Sequence, residues 1–174
     1  MASYNSSKKP SVTPESIVRD VRAGNISPVY YLMGEEGYYI DKISEFLIDT
    51  LLTKEEQDFN LVTFFGADAE IEQIIMAAKA FPMGAKYTVV LVKEAQALSD
   101  LDKFEFYLKQ PQSTSVVIFC HMNGKIDRRL KVAAMIEKGG VLYESSKVKD
   151  GQLPVFIKDY LKRKGCTIEP EAAV

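Results

Sequence analysis

The 174-residue chain carries 22 basic and 24 acidic side chains, a net charge of −2, and 47% hydrophobic residues. That describes one globular domain with room for a short piece of a second. A pI near 5.6 argues against a stand-alone nucleic-acid binder, which shows a basic excess. No apolar stretch approaches the ~20 residues of a membrane span, and the opening MASYNSSKKP lacks the apolar core of a signal peptide. A cytoplasmic protein with no membrane contact is expected.

Residues 1–12 are polar and expected to be disordered. Thr13 caps a short helix that begins at Pro14, turns Ile17, Val18 and Val21 inward and ends at Gly24. Strands are predicted at Val29–Met33, Leu61–Phe65, Thr88–Lys93, Ser115–Cys120 and Val141–Glu144. Helices are predicted at Tyr38–Leu52, Glu70–Ala80, Leu101–Lys109 and Arg128–Lys138. Each strand is a continuous apolar run, which predicts burial on both faces. Strands alternating with helices imply a three-layer α/β domain over residues 13–147, with a five-stranded, mainly parallel sheet. After Lys149-Asp150-Gly151 the pattern changes. Leu153, Phe156, Ile157, Tyr160 and Leu161 form an apolar helical stripe ended by Gly165. A further helix start at Glu169-Pro170-Glu171 leads only to Val174, so a fragment of a longer protein is expected.

The first strand, PVYYLM, runs into Gly34-Glu35-Glu36-Gly37 and then a helix. Nucleotide-binding proteins place G-x-x-x-x-G-K-[ST] at such a junction. Counted from Gly34, Tyr39 stands for the second glycine, Ile40 for the lysine and Asp41 for the Ser/Thr. No cation meets a phosphate there, and Glu35 and Glu36 repel one. The third strand ends in Lys93-Glu94 where hydrolases carry Asp-Glu, and a lysine there disfavours Mg²⁺. The residues alone leave two readings: a nucleotide site disabled in both halves, or an ordinary strand-to-helix turn.

Other candidates are weaker. Cys120 and Cys166 fit no metal or redox spacing and read as reduced thiols. His121 follows Cys120 on a strand, so the two point to opposite faces. Asp41, Glu45 and Asp49 lie at i, i+4, i+8 and read as a solvated helix face rather than a metal site. Tyr30, Phe46, Phe106 and Phe119 read as packing. Lys125, Arg128, Arg129 and Lys131 cluster at a predicted helix start and read as solvated surface, with DNA or subunit contact as the alternative.

Several segments in order resemble the delta subunit of the bacterial DNA polymerase III clamp loader. They are Pro28–Glu36, Asn60–Gly66 (NLVTFFG), Phe81–Tyr87 (FPMGAKY), Lys93–Leu98 (KEAQAL), Lys125–Lys131 (KIDRRLK) and Leu153–Ile157 (LPVFI). The resemblance runs from Pro28 to Val174 and rests on order and spacing rather than on one diagnostic motif. It implies an AAA+/P-loop-type domain without a functional ATP site or cofactor, sheet order 5-1-4-3-2, and the start of a helical lid at residues 150–174. By that resemblance the family's C-terminal collar domain is expected to be absent from these 174 residues. By the same resemblance, the protein is a non-hydrolysing subunit of the DNA-directed DNA polymerase (nucleotidyltransferase) holoenzyme. Its partners would be the sliding clamp (beta ring), the gamma/tau and delta prime subunits and, in the assembled complex only, primed DNA. Delta subunits present a pair of large apolar residues to the clamp at the tip of the helix that corresponds to Glu70–Ala80 here. Here the aligned pair is Pro82-Met83, where family members carry residues like Leu-Phe or Phe-Phe. Pro82 departs from that pattern and leaves Met83, with Phe81, as the expected anchor; the alternative folds both back onto the sheet edge. Two other functions stay open on the residues alone: a doubly wound enzyme and a nucleic-acid-binding adaptor. No dinucleotide fingerprint or nucleophile–base pair supports the first, and the acidic pI disfavours the second.

Overall fold

The computed structural model describes residues 12–146. The predicted disordered segment up to residue 11 and the predicted lid, with the Leu153–Gly165 helix, lie outside the described residues. Helix α1 (Pro14–Arg22) begins as its sequence requires, with Thr13 Oγ1 accepting from the Ser16 backbone N–H and Pro14 at the first position. Strand β1 (Val29–Gly34) leads through the glycine turn into α2 (Gly37–Leu51). An unpredicted helix, α3 (Lys54–Asn60), follows directly and abuts β2 (Leu61–Phe65). Then come α4 (Ile71–Ala78), β3 (Thr88–Lys93), α5 (Glu105–Leu108), β4 (Ser115–Met122), α6 (Lys131–Gly139) and β5 (Val141–Ser145).

The five strands form one parallel sheet in the order β2-β3-β4-β1-β5, as the resemblance implies. Alternate side chains of the same strands enter two cores. Tyr30, Leu32, Ile118 and Leu91 pack under α1 and α2 with Ile17, Ile40 and Leu47, while Tyr31, Met33, Phe119 and Val92 pack with Phe104, Ile74 and Ile136 on the other face. This is the period-2 alternation of strands between two helical layers. It explains why the central strands read as unbroken apolar runs.

Four expectations are corrected. Strand β2 is an edge strand, and Val62, Thr63 and Phe65 are exposed rather than buried on both faces. The predicted Leu101–Lys109 helix divides into a 3-10 turn (Leu101–Phe104) and the single α-helical turn of α5, leaving Phe106 64% exposed rather than in the core. The predicted Arg128–Lys138 helix starts at Lys131. Asp127 Oδ1 accepts from the backbone N–H of Arg129 at 2.9 Å, a local turn that competes with helical geometry. Helix α4 ends at Ala78, short of the predicted Ala80.

Candidate functional site

At the phosphate-loop position the protein supplies its own anion and its own acceptor. Glu36 is the N-cap of α2, and its Oε1 accepts from the Tyr38 backbone N–H at 3.2 Å. The Glu36 N–H donates to Ser145 Oγ of β5 at 3.1 Å. These are the helix-start donors that cradle phosphates elsewhere. Gly34 closes against Gly124 by a β-bridge and against the Ser145 backbone. Met122 Sδ would lie 3.3 Å from a Cβ built on Gly37. Ile40, at the lysine position, is wholly buried in the α1/α2 core, and Asp41 is exposed. Tyr39 lines a groove of about 640 Å³ between α1 and α2, with Pro14, Val18, Ile43 and Phe46. At the end of β3, Lys93 and Glu94 are exposed, and Glu94 adopts a left-handed conformation (φ 53°) opening a 3-10 turn.

Phe81, Pro82 and Met83 form a tip between α4 and β3. Phe81 is 78% and Met83 67% exposed, so neither folds back onto the sheet edge. The tip is tied to the end of α3. Asn60 Oδ1 accepts from the Met83 backbone N–H at 2.6 Å, and Nδ2 donates to the Met83 carbonyl at 3.0 Å. Phe59, beside it, is 70% exposed. Sequence reasoning missed both because it missed α3. The signal was present: Thr53 and Glu56 have the capping-box spacing, and both reciprocal hydrogen bonds form.

The basic cluster is internally neutralised. Glu144 pairs with Lys125 Nζ at 2.6 Å and with Arg128 at 3.0 Å; Lys131 pairs with Glu105 at 2.9 Å. Arg129 makes a bidentate contact to Asp127, which holds that carboxyl down at about 2. Lys125, followed by burial opposing it and Arg128 supporting it, lowers the Glu144 carboxyl. Because these pairs are largely solvated, water and salt screen them and they add little to stability.

The remaining candidates separate as geometry demands. Cys120 faces the α1/α2 core, where burial pushes its thiol up to about 11. His121 faces the other way, its Nδ1 2.9 Å from the Tyr31 hydroxyl, and burial lowers its pKa. The pair is no dyad. Glu45 and Asp49 pair with Lys42 and Lys54, each at 2.6 Å. Among the described residues no group of three His, Cys, Asp or Glu side chains is placed to hold a metal. Nor, among them, is any helix long and apolar enough to cross a membrane.

A parallel sheet in this order, with a strand–turn–helix on the interior strand β1 and helices on both faces, defines an α/β domain of the AAA+/P-loop type. The sequence model of the family described as "DNA polymerase III, delta subunit" matches residues 30–146. The chain belongs to the DNA polymerase III delta subunit family, the clamp-loader delta subunits of replication. It is 25% identical over 165 residues to DNA polymerase III subunit delta of Bacillus subtilis (strain 168), covering 89% of this chain. It spans about half, 48%, of that curated relative. The solved Bacillus subtilis DNA clamp loader delta protein superposes with a TM-score of 0.75 at 24% identity, over 92% of this chain and 50% of that one. A DNA polymerase III gamma subunit-related protein of Thermotoga maritima shares the fold, with a TM-score of 0.54 at 14% identity, over 90% of this chain and 55% of that one.

Proposed function

We propose that this chain is the clamp-gripping part of a clamp-loader delta subunit, which binds the sliding clamp through Phe81 and Met83 and helps open the ring. The observation that carries the reading is the pair of large apolar side chains held out at the end of α4, 78% and 67% exposed. Clustered, exposed apolar side chains mark binding sites, and a few central anchors carry most of an interface's affinity. Pro82 lies between them and shapes the backbone, since it disfavours helix in the residue before it. A tip that binds the clamp more tightly when the ring interface is sprung apart shifts the ring population toward open.

In this reading the chain hydrolyses no ATP and takes no cofactor. The phosphate position is filled by Glu36, Ser145 and Met122, and the lysine and metal-side carboxylate are replaced by Ile40 and Lys93. The gamma/tau subunits would supply hydrolysis, delta prime would complete the loader, and primed DNA would be met only in the assembled complex. The neutralised cluster at Lys125, Arg128, Arg129 and Lys131 supports a solvated surface rather than a DNA contact. The lid start at residues 150–174 and cytoplasmic location belong to the same reading.

The test is clamp binding by the double variant Phe81→Ser/Met83→Ser, measured on immobilised clamp of the same organism. Binding should be abolished while the unfolding midpoint stays within a degree or so, because both side chains already face water. Undiminished binding by the folded variant excludes this site.

A further inference from the structure

We infer that Asn60 is a positioning residue for the clamp contact: it holds the backbone of Met83 so that the clamp meets a preformed tip. The inference rests on the reading of the tip as the clamp anchor. Asn60 is the last residue of α3 and is 1% exposed, yet its whole polar end is used. Oδ1 accepts from the Met83 N–H at 2.6 Å; Nδ2 donates to the carbonyls of Met83 and Glu56, each at 3.0 Å. A reversed amide would set its donor against the Met83 N–H, so the partners fix the orientation.

One side chain thus satisfies both backbone groups of the residue expected to enter the clamp. The neighbouring backbone hydrogen bonds on either side are Ala80 N–H to Ala77 and Thr88 N–H to Thr114. Between them, among the described residues, the tip's hydrogen bonds to the rest of the fold are those to Asn60. Pro82 has no N–H to give, and Gly84, at φ +67°, has open space where a Cβ would sit. Without the clasp this segment must be ordered on docking, and that ordering is subtracted from affinity. Asparagine suits the task because it combines a donor and an acceptor on one short planar fork. Aspartate keeps the acceptor but turns an oxygen toward two carbonyls.

The test uses the 174-residue chain and immobilised clamp of the same organism. Asn60→Ala and Asn60→Asp should each weaken binding about tenfold, since a lost buried hydrogen-bond pair of this kind is of that order. NMR hydrogen exchange should quicken at the Met83 amide while the sheet amides Val90 and Ile118 keep their protection. In a Met83→Ala background, Asn60→Ala should cost much less than in the native chain, because the two act through one contact. Wild-type binding by both Asn60 variants, with binding lost in Phe81→Ser/Met83→Ser, overturns the role of Asn60 and leaves the tip reading standing. Loss of sheet protection in both Asn60 variants also overturns it, assigning Asn60 to the fold rather than the tip. Undiminished binding by the folded Phe81→Ser/Met83→Ser chain overturns both.

Discussion

Alanine at Gly34 tests whether the glycine at the phosphate-loop position is kept for the fold rather than for a ligand. Gly34 sits at φ +130°, a region that L side chains rarely adopt, and the strain on alanine there is about 1–3 kcal/mol. The added Cβ would also collide with the carbonyl oxygen and Oγ of Ser145 and lie 2.8 Å from its backbone nitrogen. These are mostly backbone atoms of β5, which cannot rotate away, so the strand must shift at a further cost of about 1–3 kcal/mol. The combined loss of roughly 2–6 kcal/mol is a large part of a domain stability of about 5–15 kcal/mol. Urea unfolding followed by circular dichroism should report it, with a melting temperature lower by about 10 °C. Gly24→Ala is the control: its φ is also positive, +84°, but nothing lies within 4 Å of the new Cβ. That variant should lose only about 1–2 kcal/mol. Equal losses in the two variants, or a loss below about 1 kcal/mol at Gly34, would refute the steric argument.

Further outcomes follow from the same packing. Millimolar ATP with Mg²⁺ should leave the melting temperature unchanged, because a ligand that binds the native state must raise it; a clear rise would restore a nucleotide site. His121 is buried and its folded pKa lies below the usual 6.5, so the unfolded chain binds more protons as pH falls through that range. Stability is therefore full above about pH 6.5 and declines on acidification toward the folded value. His121→Gln should flatten that part of the profile of urea midpoints between pH 7.5 and 5.5, and an unchanged slope would sink the assignment. Phe104→Ala removes a wholly buried ring packed 5.0 Å from that of Phe119 and should cost about 3–5 kcal/mol. Phe106→Ala, at an exposed ring, should change stability by no more than about 0.5 kcal/mol, as read from denaturant midpoints.

Local physics made much of this protein legible in its residues. Apolar runs of strand length marked all five strands, and those of β1, β3 and β4 are unbroken because interior strands covered on both faces admit few polar side chains. Thr13-Pro14 marked the start of α1 because capping is decided within one turn. The replacement of phosphate-loop residues by Tyr39, Ile40 and Asp41 was likewise readable, since that chemistry depends on residue type at fixed spacing. Tertiary structure decided what depends on residues distant in the chain. Leu61–Phe65 and Thr88–Lys93 are both apolar runs, yet the second, inside the sheet, is buried and the first, at its edge, is largely exposed. Phe104 and Phe106 share one short segment, and the turn geometry sends the first into the core and the second to water. Two members of the basic cluster, Lys125 and Arg128, acquired a shared carboxylate partner from β5, and Lys131 one from α5. The clasp between Asn60 and Met83 joins residues 23 apart. Periodicity reports which face of an element is apolar; which polar groups meet is set by the packing of the sheet and its helices, and that is where the tip acquires its shape.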